Sequence, residues 1–196
     1  MFNHKRLMAV AVVVALAMAL AVPSWGAQFR KVKDQRFIDM CEKGDTKGVI
    51  EAINAGANVN AKGKYGITAL ISAVGNGHTE TVKALIQAGA EVNAKDEAGW
   101  TALMAAATLG RTEIVNALIK AGADDLTDNN GKTALIYSTE HTENSLTNPE
   151  TVKALIDAGF NVKHKDNDGK MAVDYARENP ELKGTDALKR LEELSK

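Results

Sequence analysis

The sequence predicts an all-α repeat solenoid, and three recurrences carry that prediction. The heptapeptide "ETVKALI" is written twice, from Glu80 and from Glu150, and each copy runs on through one residue to Ala-Gly. Ala-Gly pairs ending at Gly56, Gly89, Gly122 and Gly159 are spaced by 33, 33 and 37 residues. Thr-Ala-Leu recurs from Thr68, Thr101 and Thr133, and Met171-Ala172-Val173 holds the same place in degenerate form. Catalytic motifs are rarely duplicated verbatim, whereas structural units are. A short unit of two helices cannot bury both on its own, so such units stack on their neighbours.

The first residues read as an export signal. His4, Lys5 and Arg6 form a positive start, and Leu7 to Val22 is an uninterrupted apolar run of sixteen residues. Pro23 breaks the run, and small residues follow in "SWGA". Sixteen residues is short against the roughly 20 that span a bilayer, which favours a cleaved signal over an uncleaved anchor formed by residues 7–22. Residues 1–26 are therefore expected to be the signal, 27–33 a short linker, and 34–196 the repeat domain. The protein is expected in the periplasm or outside the cell. Loss of Lys5 and Arg6, and of no acid, takes the formal charge from −1 to −3. That leaves no basic footprint for nucleic acid. A single cysteine, Cys41, allows no disulfide within the chain.

Five units follow, at about 34–61, 62–94, 95–127, 128–164 and 165–196. The first begins near Asp34 with "RFIDMCEKGD", whose Phe37, Ile38, Met40 and Cys41 form the inner side. In the central units the first helix carries Leu70, Ile71, Ala73 and Val74, then Leu103, Met104, Ala106 and Ala107. Apolar residues share one face, with small alanines where helices must approach. The second helix reads Val82, Leu85, Ile86 and then Val115, Leu118, Ile119, at i, i+3, i+4 spacing. Thr68 and Thr101 stand where N-caps belong. Gly89 and Gly122 stand where a left-handed residue ends a helix. In the last unit Thr185 begins a helix with Leu188, Leu191 and Leu194 as its apolar stripe. Five extra residues fall within "STEHTENSLTNPE" (Ser138 to Glu150). They are expected to form a mobile loop, with Pro149 starting the next helix.

A period of 33 with a turn and two helices is the ankyrin spacing, and the residues extend the likeness. The stretch from Gly66 to Gly99 closely resembles the ankyrin consensus. Gly77-His78-Thr79-Glu80 matches its Gly-His-x-Glu turn, and Gly56 to Asn60 and Gly89 to Asn93 match its Gly-Ala-x-Val-Asn ending. The resemblance covers roughly Asp34 to Leu194. It departs from the family in one consistent way. The family's Pro-Leu-His is Ala69-Leu70-Ile71, Ala102-Leu103-Met104 and Ala134-Leu135-Ile136, so the histidine that bonds between repeats is missing.

Three patterns suggest other chemistry and fail. "GKT" at Gly131 to Thr133 lacks the earlier glycine of a phosphate loop, since position 126 is Leu126. "HKDNDG" from His164 lacks calcium ligands at its first and twelfth positions, His164 and Tyr175. His78, His141 and His164 form no metal-ligand spacing with one another or with Cys41. Cys41 aligns with Val74 and Ala107 and reads as a small core residue. No catalytic residue, cofactor or metal is expected.

The resemblance implies a binding module for another protein, whose surface is hairpin tips and inner helix faces. Here these positions are Lys64, Tyr65 and Ile67; Glu97, Ala98 and Trp100; Asn129, Asn130 and Lys132; and Asn167, Asp168 and Lys170. Asn76, Thr108 and Leu109 lie at the neighbouring helix ends. Tyr65, Ile67, Trp100 and Leu109 together suggest an apolar, aromatic strip. Trp100 is expected to be exposed, because the same position holds Lys132 and Lys170 in later units. The expected form is a monomer. An inhibitor or immunity protein that blocks an enzyme or toxin is a variant of this reading, and an enzyme is the competing class.

Overall fold

Ten α-helices in two rows organise the described residues, which are 23–143 and 145–196 in this computed structural model. The inner row is α1 (Pro23–Lys43), α3 (Ala69–Gly75), α5 (Ala102–Thr108), α7 (Ala134–Thr139) and α9 (Ala172–Glu178). The outer row is α2 (Thr46–Asn54), α4 (Thr79–Gln87), α6 (Thr112–Lys120), α8 (Pro149–Asp157) and α10 (Asp186–Leu194). Each inner helix packs on the next inner helix and on its own outer partner, and successive outer helices touch in turn. This is the expected all-α repeat solenoid, and its ten described helices form five pairs. The apolar run 7–22 lies outside the described residues. Residues 27–33, expected as a linker, lie within α1. The stretch "AQFRKVK" holds neither Gly nor Pro, so nothing in it interrupts a helix.

Local chemistry sets the boundaries. Thr68, Thr101 and Thr133 accept the backbone amides of Ile71, Met104 and Ile136 at 3.1, 3.3 and 3.3 Å, so each opens an inner helix as its N-cap. Met171 has no hydroxyl for this, and the Asp174 carboxylate instead accepts its amide at 2.9 Å. Gly89 and Gly122 adopt φ of 84° and 88° directly after their helices, a conformation that a side chain resists. The core follows the apolar stripes. Leu85, Leu118, Leu155 and Leu191 of the outer row are fully buried against Val74, Ala106 and Ala176 of the inner row. Each such leucine contributes about 2 kcal/mol through burial. Cys41 is buried in the same core, and that burial pushes its pKa up to about 12, so it packs as a neutral thiol.

The missing consensus histidine does not leave the repeats unbonded. Backbone bonds link the hairpin tips in series: Glu97 to the Tyr65 carbonyl at 3.0 Å, Asn129 to Ala98 at 3.1 Å, and Asn167 to Asn130 at 3.0 Å. Side chains add to this ladder. The His78 Nε2 meets the Glu42 carbonyl and His164 Nε2 the Gly131 carbonyl, both at 2.8 Å. Lys62 and Lys95 each donate to a carbonyl one repeat on, at Lys95 and Thr127. The loops themselves are tight turns with no strands among the described residues. Two of them close on one antiparallel bridge each, Lys62 with Thr68 and Thr127 with Thr133.

Candidate binding face

The inner helices and hairpins together form one face, and its two halves differ. In the first half, over the first three helix pairs, lies an open groove of about 580 Å³. Its floor is apolar: Ile38 on α1, Ile67 and Ile71 at α3, and Trp100, Ala105 and Leu109 at α5. These residues converge because the 33-residue period puts Ile67 beside Trp100, and places Glu42, Gly75 and Thr108 in one row at the helix ends. Six of the expected residues line the groove, namely Lys64, Ile67, Asn76, Trp100, Thr108 and Leu109. Tyr65 stands beside it at the hairpin tip, 59% exposed, with the Lys64 ammonium 4.5 Å from its ring centre. Glu97 and Ala98 are exposed on the next tip. Ile38, Ile71 and Ala105 were not among the expected site residues. Their one sequence signal is register, since Ile38 and Ile71 are one period apart on the inner helices.

The hairpin of Tyr65 differs from the other three. Asp96, Asp128 and Asp166 each use one carboxylate oxygen to accept two amides of their own turn, at 2.8 to 3.0 Å. Gly63 holds the equivalent position and has no carboxylate to offer. Its turn winds into a 3-10 form, with Tyr65 at φ 59° and ψ 20°. Left-handed geometry in a bulky residue is strained.

In the second half the face is filled by its own side chains. Lys132 pairs with Glu140 at 2.8 Å, and the two side chains are only 17% and 21% exposed. The Lys132 ammonium also lies 5.7 and 5.1 Å from the ring centres of Tyr137 and Tyr175, and Lys170 covers Tyr175 from 5.2 Å. Tyr137 donates to Asp128 at 2.7 Å and Tyr175 to Asp166 at 2.5 Å. Burial and then the bonded carboxylate push both phenol pKa values up, so both remain hydrogen-bond donors well above neutral pH. Burial opposes the Asp166 charge, but the Tyr175 hydroxyl, the Lys170 and Asp168 amides and the Lys132 charge hold its pKa below the usual carboxylate range. Asn129 and Asn167 donate to carbonyls of the preceding tip, Glu97 and Asn129, and Asn130 donates to Asp128. Asp168 and Lys170 remain exposed.

Two expectations need correction. Trp100 is half-buried, not exposed. Its ring lies 4.7 Å from that of Tyr137 at 54°, a tilted aromatic contact that joins the two halves of the face. Nor is the insertion a free loop. Ser138 and Thr139 are buried in α7, and Glu140 belongs to the lysine pair. Leu146 donates to the Thr108 carbonyl at 2.9 Å. Asn148 donates to Gly110 O and to Thr112 Oγ1, both at 3.2 Å. Asn179, which is fully buried, donates to Thr139 O at 3.0 Å and to Thr147 Oγ1 at 2.8 Å. These bonds satisfy polar groups of three successive helix pairs, which is why the segment is held. The side chains of His141, Thr142 and Glu143 remain exposed at its tip.

Among the described residues there is no cluster of His, Cys, Asp and Glu suited to a metal, and no helix long and apolar enough to cross a membrane. Comparison with known families matches residues 37–125 to the model described as ankyrin repeats, in three copies. No curated protein matches the chain.

Proposed function

Since this chain belongs to the ankyrin-repeat family, and such repeats are generally protein–protein interaction modules, we propose that it is a non-enzymatic binding module whose partner protein sits in the groove of the first three helix pairs. The observation that carries this reading is convergence. Six residues expected from their place in the repeat line one open, apolar-floored groove, whereas in the second half the equivalent position holds Lys132, paired with Glu140 and set against the rings of Tyr137 and Tyr175. Apolar surface that stays open on a folded protein marks a contact site. The exposed tips of Tyr65, Glu97 and Ala98 extend that surface. Asn129, Asn130, Lys132, Asn167 and Lys170 serve mainly to hold the second half together.

Leu109→Arg places a charge on the groove floor, and Asp168→Ala removes an exposed side chain from the second half. Binding that is lost in the first and kept in the second supports the groove. The opposite pattern moves the site to the later repeats. Export is part of the same proposal and rests on the charged start, the sixteen-residue apolar run and the small residues after Pro23. Cleavage after Gly26 or Ala27 would shorten the described α1 by about one turn and leave Phe37, Ile38 and Cys41 in the core. Mass spectrometry of the exported form should find Ala27 or Gln28 first. Full-length protein confined to membranes would show residues 7–22 acting as an anchor instead.

A further inference from the structure

The proposed groove has a charge at each end. At the hairpin rim stands Lys64, exposed, whose ammonium touches only the ring of its neighbour Tyr65 and forms no ion pair among the described residues. At the helix-end rim stands Glu42, also exposed and also outside every ion pair of the described residues. Lys43, next in the chain, does not line the groove. Asp96, the other lining acid, is occupied by the Ala98 and Trp100 amides. Between the two rims lies the apolar floor.

We infer, on the reading that the groove is the binding site, that its occupant is a segment of a partner protein that carries an acidic side chain at one end, a basic side chain at the other and apolar side chains between them. The acid faces Lys64 and the base faces Glu42. The opposite arrangement sets like charges at both rims. Exposed ion pairs contribute little affinity, so the apolar floor supplies the hold and the charges choose the partner and its direction.

The test is selection of random peptides displayed on phage against the full chain, repeated on Glu42→Lys and Lys64→Glu, with Leu109→Arg as the groove-blocked reference. Peptides enriched on the wild type should carry an acid and a base separated by apolar residues. A chosen peptide should bind Glu42→Lys at least about fivefold more weakly, the equivalent of one exposed ion pair lost and a repulsion gained. A peptide with its base changed to an acid should recover that loss on Glu42→Lys and bind the wild type worse. Both substitutions replace exposed side chains, and unchanged melting temperatures would show that folding is not the cause. If enriched peptides bind all charge variants alike yet fail on Leu109→Arg, the charge inference is wrong and the groove stands. If Leu109→Arg enriches the same peptides as the wild type, the groove itself is not the site.

Discussion

Trp100 and Lys132 occupy the same position in successive repeats, yet they belong to two different kinds of surface. Trp100 borders a groove that is open to a partner, and Lys132 sits inside a network that is already complete. The difference comes from what stands nearby. Around Lys132 are Glu140, Tyr137 and Tyr175, each itself bonded or packed. Around Trp100 the floor is Ile67, Ala105 and Leu109. One scaffold thus supports a first half that leaves apolar surface unsatisfied and a second half that satisfies its own charges. Repeat position alone does not make a residue a contact.

The sharpest way to break this contrast is at the insertion. Gly110 has φ 58°, and a β-carbon there would run into the Leu146 carbonyl and the Asn148 side chain. Gly110→Ala should lower the unfolding free energy by about 3 kcal/mol, from strain and displacement of the brace together. Gly75→Ala, in the open half, meets nothing within 4 Å and should be neutral or stabilising by about 0.5 kcal/mol. Equal effects of the two in urea titrations would mean that the insertion does not brace the second half. Trp100→Ala should cost about 2 kcal/mol of stability, since a half-buried ring loses roughly half of what a core tryptophan would, and should also weaken peptide binding about tenfold or more. A melting temperature that stays put would contradict the packing on Tyr137.

Smaller effects refine the picture. Tyr137→Phe removes a donor from a buried carboxylate and should cost about 1.5 kcal/mol, with groove binding intact. Loss of binding in that variant would join the two halves into one site. Tyr65→Gly should act the other way. Relief of the left-handed strain should raise stability by about 1 kcal/mol, and loss of the exposed ring should weaken binding. Falling stability in a denaturant series would show that the Tyr65 ring is structural.

The fold was legible because its signals are local and repeated. Thr68, Thr101 and Thr133 cap helices three residues ahead, and Gly89 and Gly122 end helices directly before them. The site was legible only where it follows the repeat. Ile67, Trp100 and Leu109 could be placed by counting 33 residues, but their burial could not. Exposure of Trp100 was inferred from lysine at the equivalent position. That inference failed because Lys132 is itself held, by a glutamate eight residues on and by aromatic rings from two units. No local pattern marks Asp128 and Asp166, whose tyrosine partners lie nine residues away across a helix start. The anchoring of the insertion depends on Asn179, forty residues from Thr139, where no local pattern reports it.

Bonds from Leu146, Asn148 and Asn179 tie the third, fourth and fifth helix pairs to one another through a segment that belongs to only one of them. In a plain stack each pair can peel away after its neighbour, like coins from the end of a roll. Here the last three are riveted, so they must let go together. Amide hydrogens in the first two pairs would exchange through partial opening, while those in α5 to α10 would wait for the whole molecule to unfold. The groove therefore straddles a seam between a looser end and a stiffer block. A ligand that bridges α1, α3 and α5 would close that seam, and slower exchange across the first two pairs would report its arrival.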